Sequence, residues 1–316
     1  TKDIVNWTDV PAKRGYDILT TIDINMQDIV ENELNDVLEY CAADWGVAIL
    51  MEVSTGDIKA ISNLERSPYR NGYVEGMNRA VRGFEPGSVV KTLSMMVAVE
   101  DGLVHNLDSV ITTGHGYPYA GGRPITDSHS VPSMTVNEVI ERSSNIGMAK
   151  IITRAYGDKP SRWRERIAQL GFLDRLGSGI AEEMAPYFPR VKDDRGGRIA
   201  LSRMSYGYAT EIPPMHTLSI YNAIANGGRY VRPRLIKGLK DGSIDSVMPV
   251  SYVRDRVCSE ETARKMQAML KSVVWGDHGT ARSLRSDLVA VAGKTGTCWM
   301  IDTATHKYNP AHKRLA

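Results

Sequence analysis

The chain has 316 residues, of which 42% are hydrophobic, and its 39 Lys and Arg residues nearly balance its 37 Asp and Glu residues. This length and composition predict a globular protein with a sizeable core. A formal charge of +2 argues against a nucleic-acid partner. The three cysteines and seven histidines have neither metal-ligand spacing nor a disulfide framework, so we expect no metal and no cofactor.

The N-terminal part predicts a strand, a helix and a hairpin. Residues 16–22 are typical of a short strand, and Asn25 can cap a helix whose apolar residues share one face for packing on a sheet. The segments 46–53 and 57–62 are rich in Val, Ile and Ala around a turn, which predicts a β-hairpin. The polar segment 63–85 predicts a surface excursion.

The rest of the chain is predominantly helical by its pattern. The run from Ser88 to Glu100 is apolar on nearly every side, which predicts a buried helix. Further helices are predicted at about 135–142, 146–156, 161–170, 215–225 and 260–275, with loops at 112–133 and 185–198. The apolar run 288–292 predicts a strand that leads into residues 294–297.

Ser88 and Lys91 have the spacing of a nucleophile and its base. Residues three apart on a helix share a face, so the Lys91 amine can reach the Ser88 hydroxyl. Lysine activates serine only when the amine is neutral, which requires burial or a neighbouring cation to lower its pKa. The alternative is a helix-capping serine followed by a solvated lysine.

Two further motifs follow in a fixed order. Ser143-x-Asn145 lies at the junction of two predicted helices, and Lys294-Thr295-Gly296 follows the predicted strand. Together with Ser88-x-x-Lys91 they form the motif set of serine acyl-transfer enzymes that react with penicillin. Each motif alone also fits a cap, a turn or a solvated charge, so the prediction depends on the ordered trio.

Most of the chain resembles the transpeptidase domain of a class B penicillin-binding protein, the septal peptidoglycan synthase type. Besides the three motifs, the resemblance includes residues 82–88, 206–208, 225–228 and 279–281. It implies an α+β fold of the penicillin-binding and serine β-lactamase type, with an antiparallel sheet flanked by helices and an all-helical subdomain.

The resemblance also implies the site residues. The catalytic residues would be Ser88, Lys91 and Ser143, and the substrate-binding residues would be Asn145, Lys294, Thr295, Gly296 and Thr297. The backbone N–H groups of Ser88 and Thr297 would form the oxyanion hole. Where the family usually has Thr-Pro-Leu-Gln, this chain has Pro213-Pro214-Met215-His216, so no role is carried over to that glutamine.

The implied activity is D,D-transpeptidation of peptidoglycan stem peptides through an acyl-enzyme that penicillins also form. The implied setting is cell division on the periplasmic side of the inner membrane. The implied partners are stem peptides, β-lactam antibiotics, a division glycosyltransferase and divisome proteins. A serine β-lactamase and a non-catalytic penicillin-sensing domain remain alternatives.

We expect residues 1–45 to be a lead-in with the N-terminal helix, and residues 46–316 to be the transpeptidase domain, with its helical subdomain at about 102–275. In the family, two more strands follow the Lys-Thr-Gly strand and a membrane anchor precedes the domain. The sequence predicts that this chain lacks these strands and the anchor. We therefore expect a truncated fragment with an open strand edge at residues 294–297 and impaired activity.

Overall fold

The fold combines helices with small antiparallel sheets. The computed structural model describes residues 14–114, 116–117, 124–242, 244–302, 304–305 and 307–316. Among these residues the helices are α1 (Ile24–Cys41), α2 (Lys91–Glu100), α3 (Val136–Glu141), α4 (Asn145–Tyr156), α5 (Ser161–Gln169), α6 (Arg195–Met204), α7 (Pro214–Ala225) and α8 (Glu260–Trp275). None of these helices is long and apolar enough to cross a bilayer.

The strands of the described residues are β1 (Asp17–Thr20), β2 (Trp45–Met51), β3 (Ile58–Arg66), β4 (Tyr73–Glu75), β5 (Val110–Thr112), β6 (Ser133–Thr135), β7 (Tyr230–Val231), β8 (Ile236–Asp241), β9 (Ile244–Val247), β10 (Tyr252–Arg254), β11 (Thr297–Ile301) and β12 (Tyr308–Leu315). The hydrogen-bonded orders are β2-β3-β4, β1-β8-β9, β11-β12, β7-β10 and β5-β6. Every pairing of these strands is antiparallel. The predicted α+β class is confirmed.

Helix α2 is the centre of the core. Every residue from Lys91 to Val99 is buried, and the helix packs against α4 and α8. A helix that is apolar all round is stable only in such surroundings. The predicted buried helix is therefore confirmed, except that its first turn, Gly87–Val90, is a 3₁₀ helix.

The hairpin of β2 and β3 is confirmed, since Trp45 pairs with Glu65 and Met51 with Ile58. The prediction for residues 63–85 is wrong in part, because β3 continues to Arg66 and is joined by β4. Ala80 and Val81 in the same segment are fully buried. Polar side chains of this segment pair with one another instead, as Arg79 does with Glu65 at 2.7 Å.

Helix α1 packs on β2 and β3 as predicted, but two details of the prediction are wrong. The cap is Asp23 rather than Asn25, because the Asp23 carboxylate accepts the N–H groups of Asn25 and Met26. The predicted apolar face is also wider than the surface that covers it. Leu38 is buried, whereas Ile29 and Val37 remain more than half exposed.

Helix α6 lies partly where a loop was predicted. The adjacent glycines at 196 and 197 lower helix propensity, yet the Asp194 side chain accepts the Gly197 N–H at 2.8 Å and caps the helix. Burial of Leu201 and Met204 then outweighs the local propensity. Part of the other predicted loop, residues 112–133, lies outside the described residues.

Residues 288–292 do not form the predicted strand. Leu288 is 93% exposed, and the strand begins only at Thr297. This apolar segment lies along α8 instead, since the Trp275 indole donates to the Val291 carbonyl at 3.0 Å. These contacts satisfy backbone groups that a sheet would otherwise have used.

The prediction of an open strand edge at residues 294–297 is wrong for one side of this segment. Strand β12 pairs with β11 from Thr297 to Ile301, and Ala316 exchanges two backbone hydrogen bonds with Gly296. Among the described residues, no strand joins the β11-β12 pair to the β2-β3-β4 sheet. The domain boundaries at 45 and 46 and the helical subdomain stay predictions.

Candidate active site

The turn before α2 places Ser88 at the site. Gly87 has φ +61°, and a Cβ there would lie 2.8 Å from the Thr297 carbonyl oxygen, so β11 can approach only a glycine. The Gly87 N–H also donates to the Gly207 carbonyl at 3.1 Å. Two chain segments distant in sequence therefore fix the backbone of the residue before Ser88.

Lys91 lies under Ser88 with no exposed surface. Its Nζ is 2.8 Å from Ser88 Oγ, 2.7 Å from the Ser143 carbonyl and 2.7 Å from Asn145 Oδ1. Burial, assisted by the positive charge of Lys294 and opposed by Asp127, holds the pKa of Lys91 well below its usual value. The condition that the sequence set for a serine-activating lysine is met.

The partners of Lys91 determine where its lone pair points. The Ser143 carbonyl and Asn145 Oδ1 can only accept hydrogen bonds, and a neutral amine has two N–H groups to give. Those two bonds leave the lone pair for a hydroxyl that can donate, and Ser88 Oγ at 2.8 Å lies nearer to Lys91 Nζ than Ser143 Oγ at 3.2 Å. A neutral Lys91 is thus oriented to take the proton of Ser88.

Ser143 lies at the junction of α3 and α4, as predicted. It has φ +59°, an uncommon conformation for a residue other than glycine and one that occurs at functional sites. Its Oγ is 3.2 Å from Lys91 Nζ and 2.8 Å from Lys294 Nζ. The hydroxyl therefore bridges the two lysines.

Lys294 contacts Ser143 from a distant part of the chain. Its Nζ donates to Ser143 Oγ and to the Thr295 carbonyl at 2.9 Å, and burial lowers its pKa to about 7. Lys91 is buried more deeply, and the Lys294 charge lowers its pKa further. The pKa of each amine is therefore lowered by burial, and the Lys294 charge is an additional cause for Lys91.

The rest of the Lys-Thr-Gly segment adjoins Ser143 and the turn before α2. Thr295 Oγ1 is 2.7 Å from Thr280 Oγ1, Gly296 is buried beside Val89, and Thr297 is exposed at the start of β11. Hydroxyls and a cation at a strand edge suit a carboxylate ligand. The structure thus brings all three predicted motifs together.

Sequence reasoning missed three supporting residues. The Asp127 carboxylate accepts the N–H groups of Asn145 and Ile146 at the start of α4, at 2.6 and 3.0 Å. Glu85 accepts the Ala209 N–H and the Tyr308 hydroxyl, at 2.8 and 2.9 Å.

The third missed residue is Thr280. It belongs to the segment 279–281, which is part of the family resemblance. For Asp127 the sequence offers no local signal, because its partners follow 17 to 19 positions later.

Cys298 and His216 are buried residues whose contacts are structural. Cys298 is buried in β11, and burial raises the pKa of its thiol to about 12, which makes it a poor nucleophile. His216 is buried in α7, where its Nε2 is 2.9 Å from the Asp174 carbonyl and its ring packs edge-on against Phe172. No cluster of His, Cys, Asp and Glu among the described residues could hold a metal ion.

Comparison with known families matches residues 46–315 to the penicillin binding protein transpeptidase domain. The chain is 30% identical over 292 residues to the probable peptidoglycan D,D-transpeptidase PbpC of Pseudomonas aeruginosa, covering 90% of this chain and 48% of that protein. It is 28% identical over 312 residues to the penicillin-binding protein PbpB of Mycolicibacterium smegmatis, covering 94% and 47%. The chain spans about half the length of these curated relatives.

A solved structure has the same fold. The chain superposes on penicillin-binding protein 3 of Mycobacterium tuberculosis in complex with ampicillin with a TM-score of 0.84 and 26% identity. The match covers 97% of this chain and 70% of that one.

Proposed function

Because the chain belongs to the penicillin-binding protein transpeptidase domain family, we propose that it is the catalytic domain of a class B peptidoglycan D,D-transpeptidase. The observation that carries this proposal is the position of Ser143 Oγ between Lys91 and Lys294. This arrangement gives Ser88 a base and places a cation within reach of a substrate carboxylate.

Acylation begins with attack of Ser88 Oγ on the carbonyl carbon of the penultimate D-Ala. The Oγ–C bond forms while the Ser88 proton moves to Lys91 Nζ. The negative charge on the carbonyl oxygen is held by the backbone N–H groups of Ser88 and Thr297, each worth about 3–4 kcal/mol in such sites. The C–N bond then breaks, and the terminal D-Ala leaves with a proton passed from Lys91 through Ser143.

Transfer repeats these steps in reverse. The amine of a second stem peptide attacks the Ser88 ester, forms the new amide bond and gives a proton to Lys91. Ser88 Oγ leaves and is reprotonated, so the enzyme returns to its starting state. A β-lactam follows the first half, with its ring C–N bond broken in place of the peptide bond.

The substrate contacts follow from the free hydrogen-bonding capacity of the site. Lys294, Thr295 and Thr297 receive the terminal carboxylate. Asn145 uses one N–H of Nδ2 for the Thr126 carbonyl and one lone pair of Oδ1 for Lys91. One N–H and one lone pair of this side chain remain for the amide of the donor peptide.

The setting of the reaction follows from its substrate. Peptidoglycan lies outside the cytoplasm, so the domain would work on the outer, periplasmic face of the inner membrane. The resemblance to the septal type supports a role in cell division, in which a glycosyltransferase that supplies the glycan strand and other division proteins would be the partners.

Incubation of the purified chain with a peptide ending in D-Ala-D-Ala and with D-methionine as acceptor tests this function. Mass spectrometry should show release of D-Ala and a peptide ending in D-methionine, and neither product with Ser88→Ala. A chain that binds penicillin covalently but never releases D-Ala from the peptide would be a drug-binding domain. Rapid hydrolysis of penicillin would indicate a β-lactamase, and either result would contradict the proposal.

A further inference from the structure

Asp127 contacts the start of α4 at three points. Its Oδ1 accepts the N–H groups of Asn145 and Ile146, and its Oδ2 accepts the Ser144 hydroxyl at 2.5 Å. The Ser144 Oγ in turn accepts the Gly147 N–H at 2.9 Å and caps the helix. A carboxylate at a helix N-terminus is also stabilised by the helix dipole. Asp127 therefore fixes the backbone that carries Asn145.

The residue before Asp127 fixes the Asn145 side chain. Asn145 Nδ2 donates to the Thr126 carbonyl at 3.0 Å, which can only accept. This contact identifies the other end of the amide as Oδ1, the acceptor for Lys91 at 2.7 Å. One loop segment, Thr126-Asp127, thus determines both the backbone position and the amide orientation of Asn145.

The position of Asn145 decides which way the Lys91 lone pair points. Lys91 gives one N–H to Asn145 and one to the Ser143 carbonyl, which leaves the lone pair for the nearer of its two hydroxyl neighbours, Ser88. Rotation of Asn145 would leave Lys91 free to turn its lone pair away from Ser88. A displacement of about 1 Å at such a site can lower a rate about a hundredfold.

The charge of Asp127 acts on the same amine. Two charged groups of the described residues act on Lys91: Lys294 disfavours its protonated form, and Asp127 favours it. The other polar groups around Lys91, from the turn before α2 and from the start of α4, are the uncharged side chains of Ser88, Ser143 and Asn145. Asp127 is therefore the group that offsets the repulsion between the two lysines.

We propose that Asp127 is a positioning residue of the transpeptidase site, which aims Lys91 at Ser88 through Asn145 and opposes the Lys294 charge. It does not contact the reacting atoms. The inference rests on the proposed function, because it assumes that Lys91 activates Ser88.

Asp127→Asn removes the charge and keeps an oxygen for the two N–H donors. The second-order rate of acylation by benzylpenicillin should be followed by intact mass from pH 4 to 10. Loss of the negative charge makes Lys91 easier to deprotonate, so the acid limb of the profile should move to lower pH by about half a unit to one unit. Asp127→Ala also removes the hydrogen bonds, and its plateau rate should fall at least tenfold.

Two further variants separate charge from geometry. Asp127→Glu keeps the charge in the wrong place, so its plateau rate should fall while its acid limb stays near that of the wild type. Asp36→Asn changes an exposed aspartate on α1 and should match the wild type throughout. Thermal unfolding of each variant checks that it is folded.

The outcomes for the proposal and for the function are distinct. If the wild type forms no adduct, the proposed function fails. If the wild type is acylated but Asp127→Asn leaves the acid limb in place, or Asp127→Ala keeps the plateau rate within twofold, the role of Asp127 is overturned. If the rate falls in both Asp127→Asn and Asp127→Glu while the acid limb of each variant stays at the wild-type pH, Asp127 has a purely structural role.

Discussion

Replacing Lys294 with methionine should raise the pKa of Lys91, so that a smaller fraction of Lys91 is neutral and able to accept the Ser88 proton at neutral pH. Methionine keeps much of the length of the side chain and removes its charge. The positive charge of Lys294 is the second cause, after burial, of the lowered pKa of Lys91. Without it, Lys91 holds its proton to higher pH, and less of the enzyme has an activated Ser88.

The size of this effect follows from the geometry. Both nitrogens contact Ser143 Oγ, at 3.2 and 2.8 Å, so they lie at most 6.0 Å apart. Two like charges at that distance repel by about 2.8 kcal/mol at an effective dielectric constant of about 20. Since about 1.36 kcal/mol corresponds to one pH unit, the acid limb of acylation should move up by about two pH units.

The measurement is the pH profile of acylation by benzylpenicillin at concentrations far below saturation, which reports the free enzyme. Lys294→Arg keeps the charge and serves as the matched control, with its acid limb near that of the wild type. Both variants also weaken carboxylate binding, which lowers the plateau but does not displace the limb. An acid limb of Lys294→Met that coincides with that of the wild type would refute the electrostatic coupling of the two lysines.

Three further predictions concern the support of the site. Gly207→Ala should lower the acylation rate at least tenfold, because φ is +99° and a Cβ would overlap the Gly87 carbonyl; Gly72→Ala, with φ +97° and free space around it, should keep the wild-type rate. Thr280→Val removes the hydroxyl contact to Thr295 and should weaken binding of the D-Ala-D-Ala peptide by about 1 kcal/mol, seen as a KM about fivefold higher with kcat unchanged. Burial lowers the pKa of His216 in the folded state, so only the unfolded chain takes up this proton as the pH falls through about 6.5. The free energy of unfolding, measured by urea titration, should therefore decrease as the pH falls below about 6.5, and His216→Gln should lack that decrease. An equal slope below pH 6.5 in both proteins would contradict this assignment.

The chemistry of the site was predictable because it is local in the sequence. Ser88 and Lys91 share a helix face by spacing alone, and Ser143 and Asn145 lie where one helical pattern ends and the next begins. Their meeting with Lys294 followed from the family resemblance, since no local rule brings residues more than 150 positions apart together. The structure places these three motifs within hydrogen-bonding distance of one another.

The supporting contacts were not predictable because they depend on tertiary structure. Asp127 caps α4 from a loop well before it, and Glu85 ties the turn before Ser88 to Tyr308 of β12. Neither contact has a spacing rule. The same reason explains the error at residues 288–292, where an apolar run of strand type stays largely exposed and is held beside α8 by the Trp275 indole, which donates to the Val291 carbonyl.

The predicted loop at 185–198 is wrong at its end for an energetic reason. It includes adjacent glycines at 196 and 197, but the cap from Asp194 and the burial of Leu201 and Met204 stabilise a helix there. Local propensity differs by at most about 1 kcal/mol per glycine. Burial of two large apolar side chains contributes about 3–6 kcal/mol, which is enough to decide the outcome.

The central claim is that Ser88 is an activated nucleophile. The most direct measurement is the intact mass of the chain after incubation with benzylpenicillin at pH 7.5, beside Ser88→Ala and the exposed-serine control Ser109→Ala. We expect one stable adduct of the mass of the drug in the wild type and in Ser109→Ala, and none in Ser88→Ala. An adduct that persists in Ser88→Ala, or none in the wild type, would contradict it.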